Sequence, residues 1–199
     1  MDNRNQLFRA FSLLGDLLSY RSAGKFSLVV CGGSALLGLE LSPRATRDVD
    51  IVALLDEGNL RPANELPEPL VETARLVAQE LNLPLDWLNG HPASILNPYL
   101  PNQGFPLGFQ NRLLRQEFGE SLSVYFVGRL DQIYFKLHAA ADRDGLTIHF
   151  EDLRRLNPTD EELTAAAKWA MLHDPSKGFR EVLHNLLVSM GKPDVLSNI

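Results

Sequence analysis

The sequence predicts an α+β fold, in which a mixed β-sheet with flanking helices precedes a C-terminal helical region. Three observations predict it. Lys25 to Cys31, Asp48 to Leu55 and Leu122 to Val127 are apolar runs of strand length, rich in β-branched or aromatic residues. Apolar residues recur at helical spacing at Leu7, Phe11, Leu14 and Leu18, and again at Leu70, Ala74, Val77, Ala78 and Leu81. From Arg129 onward the apolar stripes all have helical period. The 199 residues, 45% hydrophobic and 22% charged, carry enough apolar material for a sizeable core without disulfide or metal staples.

The elements follow in order. An amphipathic helix fills the first twenty residues. The strand Lys25 to Cys31 stops at a tight Gly32-Gly33 turn, and Ser34 to Leu39 forms a short helix. A polar loop, Ser42 to Arg47, leads into the strand Asp48 to Leu55. Asp56 to Pro69 reads as an exposed loop before the second surface helix. Leu83 to Leu88 is a candidate third strand with Pro84 near its start. Asn89 to Gly119, rich in Pro and Gly, reads as a long loop with a short helical piece from Asn111 to Phe118. Gly128 ends the strand Leu122 to Val127. Leu130, Ile133, Leu137 and Ala141 then mark one helix, and Phe150 to Leu156 another. Thr159 and Glu162 have capping-box spacing. Asp174-Pro175 opens the last helix, which buries Phe179, Val182, Leu183, Leu186 and Met190 and stops at Gly191. The chain thus divides into an α/β core, 1–128, and a helical region, 129–199.

Composition excludes several classes. A net charge of −6 argues against a general nucleic-acid coat, which needs Lys and Arg to neutralise phosphates. The single cysteine, Cys31, lies in an apolar run and reads as a buried thiol, so an internal disulfide or multi-thiolate zinc site is ruled out. No secretory leader is visible, and the longest uncharged stretch, Phe26 to Leu39, is too short to span a bilayer. A cytoplasmic, reduced protein with no membrane partner is expected.

The informative stretch is Gly32-Gly33-Ser34 followed by Asp48-Val49-Asp50-Ile51. Alternation along a strand puts Asp48 and Asp50 on one face, roughly 6–7 Å apart at Cα, where their carboxylates can share a hard cation. Two acids beside core-facing Val49 and Ile51 are costly without such a counter-ion. Gly32-Gly33 permits close backbone approach, the helix starting at Ser34 offers free N–H groups to a phosphate, and the Ser34 hydroxyl is a further donor. Arg44 and Arg47 flank the strand and either bind phosphate or remain solvated. Other phosphate motifs fail: Leu39-Glu40 stand where a P-loop needs Lys and Ser/Thr, the dinucleotide glycine pattern is absent, and the five histidines lack zinc spacing.

Val30 to Leu54 resembles the core signature of the DNA polymerase β-like nucleotidyltransferase superfamily. More narrowly, Gly32-Gly33-Ser34-Ala35 with Arg44, Thr46, Asp48 and Asp50 resembles the AbiEii-type toxin nucleotidyltransferases and their uncharacterised relatives. The resemblance extends to Asp86-Trp87-Leu88-Asn89, Lys136-Leu137-His138-Ala139, Arg143 and Asp152-Leu153. It implies a nucleotidyltransferase fold, dependence on Mg²⁺ or Mn²⁺, and transfer of a nucleotidyl group from a nucleoside triphosphate. It also implies a third carboxylate, for which Asp86 is the matching position; the alternative is an ordinary exposed acid before a packed Trp87. Lys136 would contact the triphosphate, with Arg143 and Asp152 supporting the site; Lys136 and Arg143, about 10.5 Å apart on one helix face, are otherwise solvated charges. Ile148-His149 departs from the basic-acidic pair the toxins carry there, which favours the less characterised relatives.

The leading expectation is therefore a metal-dependent transferase acting on RNA, protein or a small molecule. A toxin-like member would modify a tRNA 3′ end and be restrained by a cognate antitoxin. The alternative is a catalytically silent module that keeps the fold and binds a nucleotide.

Overall fold

A computed structural model describes residues 1–96, 104–142 and 148–198. The chain separates into two compact units, Met1–Ile95 with Gln110–Gly128, and Leu96–Phe109 with Arg129–Ile199. The second unit thus also takes in Leu96–Phe109, ahead of the boundary expected at residue 129.

In the first unit, six strands among the described residues form one mixed sheet. They are β1 (Phe26–Cys31), β2 (Val49–Asp56), β3 (Asn59–Pro62), β4 (Leu88–Asn89), β5 (Leu114–Phe118) and β6 (Leu122–Phe126). The order is β3-β2-β1-β6-β5, with β4 also on β2. β1 runs parallel to β6 and antiparallel to β2, while the short β4 runs parallel to the start of β2. Three helices accompany the sheet: α1 (Arg4–Tyr20), α2 (Gly32–Gly38) and α3 (Glu68–Leu81).

The predicted stripes are the buried ones. Asn3 caps α1 by accepting the Gln6 N–H at 3.0 Å, and Leu7, Phe11, Leu14 and Leu18 all lie in the core. They share one cluster with Leu70, Ala74, Val77 and Ala78 of α3 and with Leu28, Val30, Val49, Ile51, Val124 and Phe126 of the sheet. Each fully buried side chain of this kind contributes about 1.5–3 kcal/mol. Alternation of side chains along the strand places Asp50, between the core residues Val49 and Ile51, on the opposite face of β2.

Four segments differ from the expectation. Asp56 to Pro69 is not a plain loop: Glu57 and Gly58 both have positive φ, 47° and 82°, as in a type I′ turn, and the chain folds back as β3. Asn111 to Phe118 is not helical; a 3-10 turn, Phe109–Arg112, precedes the strand β5. β5 takes its ladder from β6 and buries only Phe118, so its own side chains carry no periodic signal. The third strand, expected over Leu83 to Leu88, shrinks to Leu88–Asn89, because a turn with Trp87 N–H on the Pro84 carbonyl occupies the preceding residues. The last helix begins later than Pro175. Ser176 caps it by accepting the Phe179 N–H at 3.1 Å, which a proline at that position could not do.

The second unit contains α4 (Arg129–Asp142), α5 (Ile148–Arg155), α6 (Asp160–His173) and α7 (Lys177–Ser189). α7 buries Phe179, Leu183, Leu186 and Leu187, whereas Val182 and Met190 are only half-buried. The Thr159 capping box is complete, with Oγ1 accepting the Glu162 N–H at 3.2 Å and the Glu162 carboxylate accepting the Thr159 N–H at 2.9 Å. Arg129 reaches the same carboxylate at 2.6 Å and so ties the start of α4 to the start of α6. Among the described residues no helix is long and apolar enough to cross a membrane.

His138 of α4 makes this unit sensitive to acid. Burial holds its pKa below the ordinary value, helped by His173, whose ring centroid is 5.8 Å away; Asp142 and Asp174 oppose the shift. Trp169 and Phe179 pack on the same ring. The unfolded chain therefore takes up this proton before the folded one does. Stability is full above the unfolded value, about pH 6.5, and falls as pH drops below it towards the lowered folded value. His138→Gln is expected to flatten the decline in thermal midpoint between about pH 7 and pH 5. Equal declines in both proteins would remove His138 from the account.

Candidate active site

β1 ends at Cys31, and Gly32, with φ of 68°, turns the chain directly into α2. The glycine pair expected as a separate turn is thus the first turn of that helix, with Cys31 at its N-cap. In the β1–β2 ladder Cys31 stands opposite Asp50. That register brings the Asp50 carboxylate against Gly32, where a Cβ would lie 2.7 Å from Oδ2. Gly33 is approached from the loop before β2: a Cβ on it would lie 3.0 Å from an Arg44 guanidinium nitrogen and 3.1 Å from Thr46 Oγ1. Thr46 in turn donates through Oγ1 to the Asp48 carbonyl at 2.9 Å. Gly32, Gly33, Arg44, Thr46 and Asp50 are therefore assembled around one bend.

β2 begins at Val49, one residue after the expected start, where the Val49 N–H donates to the Trp87 carbonyl at 2.5 Å. Asp48 stands at the threshold of the strand, two positions before Asp50, and both acids are half-buried. Ser34 is buried and its Oγ donates to the Cys31 carbonyl at 3.0 Å, so the hydrogen expected for a phosphate is engaged inside the helix turn. Arg47 is exposed. Cys31 is a buried free thiol.

The donor set suits a hard divalent cation. Asp48 and Asp50 offer carboxylate oxygens, and among the described residues no group of three His, Cys, Asp or Glu side chains could hold a metal. Mg²⁺ commonly takes one or two carboxylates and completes its shell with water and substrate phosphates, so two acids are sufficient for it. Gly32 leaves open the space that Asp50 occupies. Gly32→Ala is expected to cost about 1–3 kcal/mol of folding stability, through both the strained φ and the displaced Asp50 carboxylate. Urea unfolding of the two proteins checks it; an unchanged midpoint would mean that Asp50 does not press on Gly32.

Asp86 is not on a strand beside Asp50, as a third carboxylate would require. The left-handed Asn82, φ 53°, ends α3, and Asp86 falls in the exposed turn that follows. Trp87 is the cause: its buried indole donates to the Ala74 carbonyl of α3 at 2.9 Å, which turns the preceding acid outward. The residue in register with Asp50 is Asn89 of the parallel strand β4. Its signal in the sequence is a polar residue closing the apolar pair Trp87-Leu88 before Gly90.

The remaining candidates lie in the second unit. Lys136 and Asp152, expected as phosphate contact and support, bond to each other: Nζ donates to Oδ2 at 2.7 Å, with side-chain exposures of 4% and 0%. Arg143 lies outside the described residues. An open groove of about 630 Å³ in this unit, lined by Arg180, His184 and Leu196 among others, contains none of the predicted site residues.

Comparison with known proteins bears on the first unit and much of the second. A family model described as a nucleotidyltransferase of unknown function (DUF6036) matches residues 5–165. No curated protein and no solved structure matches the chain.

Proposed function

The chain belongs to the DUF6036 family of nucleotidyltransferases of unknown function, and from that premise we propose that it moves a nucleotidyl group from a nucleoside triphosphate in a divalent-metal-dependent reaction. One observation supports this reading above the rest: the Asp50 carboxylate packs on Gly32, the first residue of a helix whose second residue is flanked by Arg44 and Thr46. Asp48 and Asp50 would hold Mg²⁺ or Mn²⁺, which when bound neutralises charge on the phosphoryl oxygens and lowers the pKa of the attacking hydroxyl. The two glycines, lacking Cβ atoms, let Asp50, Arg44 and Thr46 close on the bend where a phosphate would bind. Arg44 brings a planar guanidinium, suited to paired phosphate oxygens, to the same bend. Arg47, exposed in the same loop, adds positive charge for the incoming triphosphate.

The acceptor in this proposal is a hydroxyl of RNA or protein. If the protein works as the AbiEii-type toxins do, the acceptor is a tRNA 3′ end and an antitoxin restrains the activity. A net charge of −6 supplies no general attraction for RNA, so tRNA would have to be bound by a local basic surface. The test is incubation with each α-phosphate-labelled triphosphate, Mg²⁺, and total RNA or total cell protein. Label transferred to one of these fractions, and lost on chelation, is expected; no label from any triphosphate in either fraction overturns the transferase reading.

A second reading has an observation of its own. The lack of a third converging acid among the described residues favours a silent module that binds the triphosphate without turnover. It predicts binding heat with a triphosphate and Mg²⁺, no label transfer, and a neutral Asp50→Asn variant in cells.

A further inference from the structure

We propose that Asn89 is a ligand-contacting residue of the Asp48–Asp50 site, its side-chain amide donating to a phosphate oxygen of the bound nucleotide; this rests on the nucleotide-binding reading above. Cys31, Asp50 and Asn89 form one row across β1, β2 and β4, and residues in register on neighbouring strands project from the same face. Asn89 is only 7% exposed, so its side chain is held in place rather than waving in solvent. Its orientation is fixed. Oδ1 accepts the His91 N–H at 3.1 Å, a bond that the amide nitrogen could not make, which assigns oxygen and nitrogen unambiguously. Nδ2 is then left without a hydrogen-bond partner among the described residues.

The strand that carries it is equally constrained. Trp87 anchors β4 to α3, and Gly90 packs so closely on the Ala63 carbonyl oxygen that a Cβ there would collide with it, so the chain is held on both sides of Asn89. A rigid, unpartnered donor in register with the Asp50 carboxylate suits an anion that arrives with its own cation. A neutral amide at this position also has a consequence for the metal. With no third negative charge in the row, the protein alone binds a divalent cation weakly, and the cation enters with the triphosphate.

The experiment compares wild type, Asn89→Ala, Asn89→Asp and Asp50→Asn by titration calorimetry, using Mn²⁺ alone and tripolyphosphate at saturating Mg²⁺, with thermal midpoints measured in parallel. Asn89→Ala is expected to weaken tripolyphosphate by about tenfold while Mn²⁺ affinity stays within about twofold. Asn89→Asp keeps an oxygen acceptor for the His91 N–H, so a residue that only braces the turn would leave both affinities unchanged. The proposal instead expects Mn²⁺ to bind about tenfold tighter, through a third carboxylate, and tripolyphosphate at least about tenfold weaker. If wild type binds both probes and the two Asn89 variants match it within about twofold, Asn89 has no ligand role. If wild type binds neither probe and Asp50→Asn is indistinguishable from it, the nucleotide site fails, and this proposal fails with it.

Discussion

Asp50→Asn is expected to lower nucleotidyl transfer by about a thousandfold or more while leaving the protein folded. The substitution keeps the side chain's shape against Gly32, where Asp50 Oδ2 already fills the place of a missing Cβ. What changes is charge. A single carboxylate at Asp48 holds a divalent cation far less tightly than two, and the loss of one well-placed electrostatic group in an active site typically costs 10²–10³ in rate, of order 3–4 kcal/mol. Loss of the cation itself adds to that. Folding stability should fall little, because the variant keeps the side chain's shape and leaves the buried Val49 and Ile51 untouched. Initial rates with the labelled triphosphate, set beside a urea titration, separate the two effects. A variant that retains more than about a tenth of wild-type transfer would mean the cation is held elsewhere.

The placement of Asp50 beside the glycine bend was legible in the sequence because the pattern is local: an acid near the start of a strand that follows a Gly-Gly and a short helix. The helices α1 and α3 were legible for a related reason, since a 3.6-residue stripe is written into the chain before any partner is known. So was the Thr159–Glu162 box, whose two bonds span three residues. The features that escaped depend on partners distant in sequence. β5 is polar along most of its length and exists because β6 pairs with it. β3 follows a Glu-Gly turn that lacks the usual Asn-Gly signature. The residue in register with Asp50 is Asn89 and not Asp86, because β4 is only two residues long and is defined by its pairing with β2. Motif reading favoured the residue that carried a charge, and strand pairing selected the one that lay opposite Asp50.

The second large effect is expected at the buried pair of the helical unit. Lys136→Met should destabilise the protein by about 3–5 kcal/mol, since it leaves the Asp152 carboxylate, with 0% side-chain exposure, uncompensated. Asp152→Leu should cost a similar amount by stranding the Lys136 ammonium. The double variant Lys136→Met/Asp152→Leu is expected to recover most of the loss, because the desolvation of both charges disappears along with their attraction. Urea-unfolding midpoints of the four proteins form the required cycle; additive losses would show that the two side chains do not depend on each other. The recovered double variant then separates packing from chemistry. With stability restored, an unchanged rate of nucleotidyl transfer would make the pair a structural strut joining α4 to α5. A rate that stays low, with the fold restored, is the outcome implied by the toxin-like resemblance, in which the Lys136 position contacts the triphosphate. Only the double variant can make that distinction, because either single change lowers activity through unfolding whatever its role in chemistry.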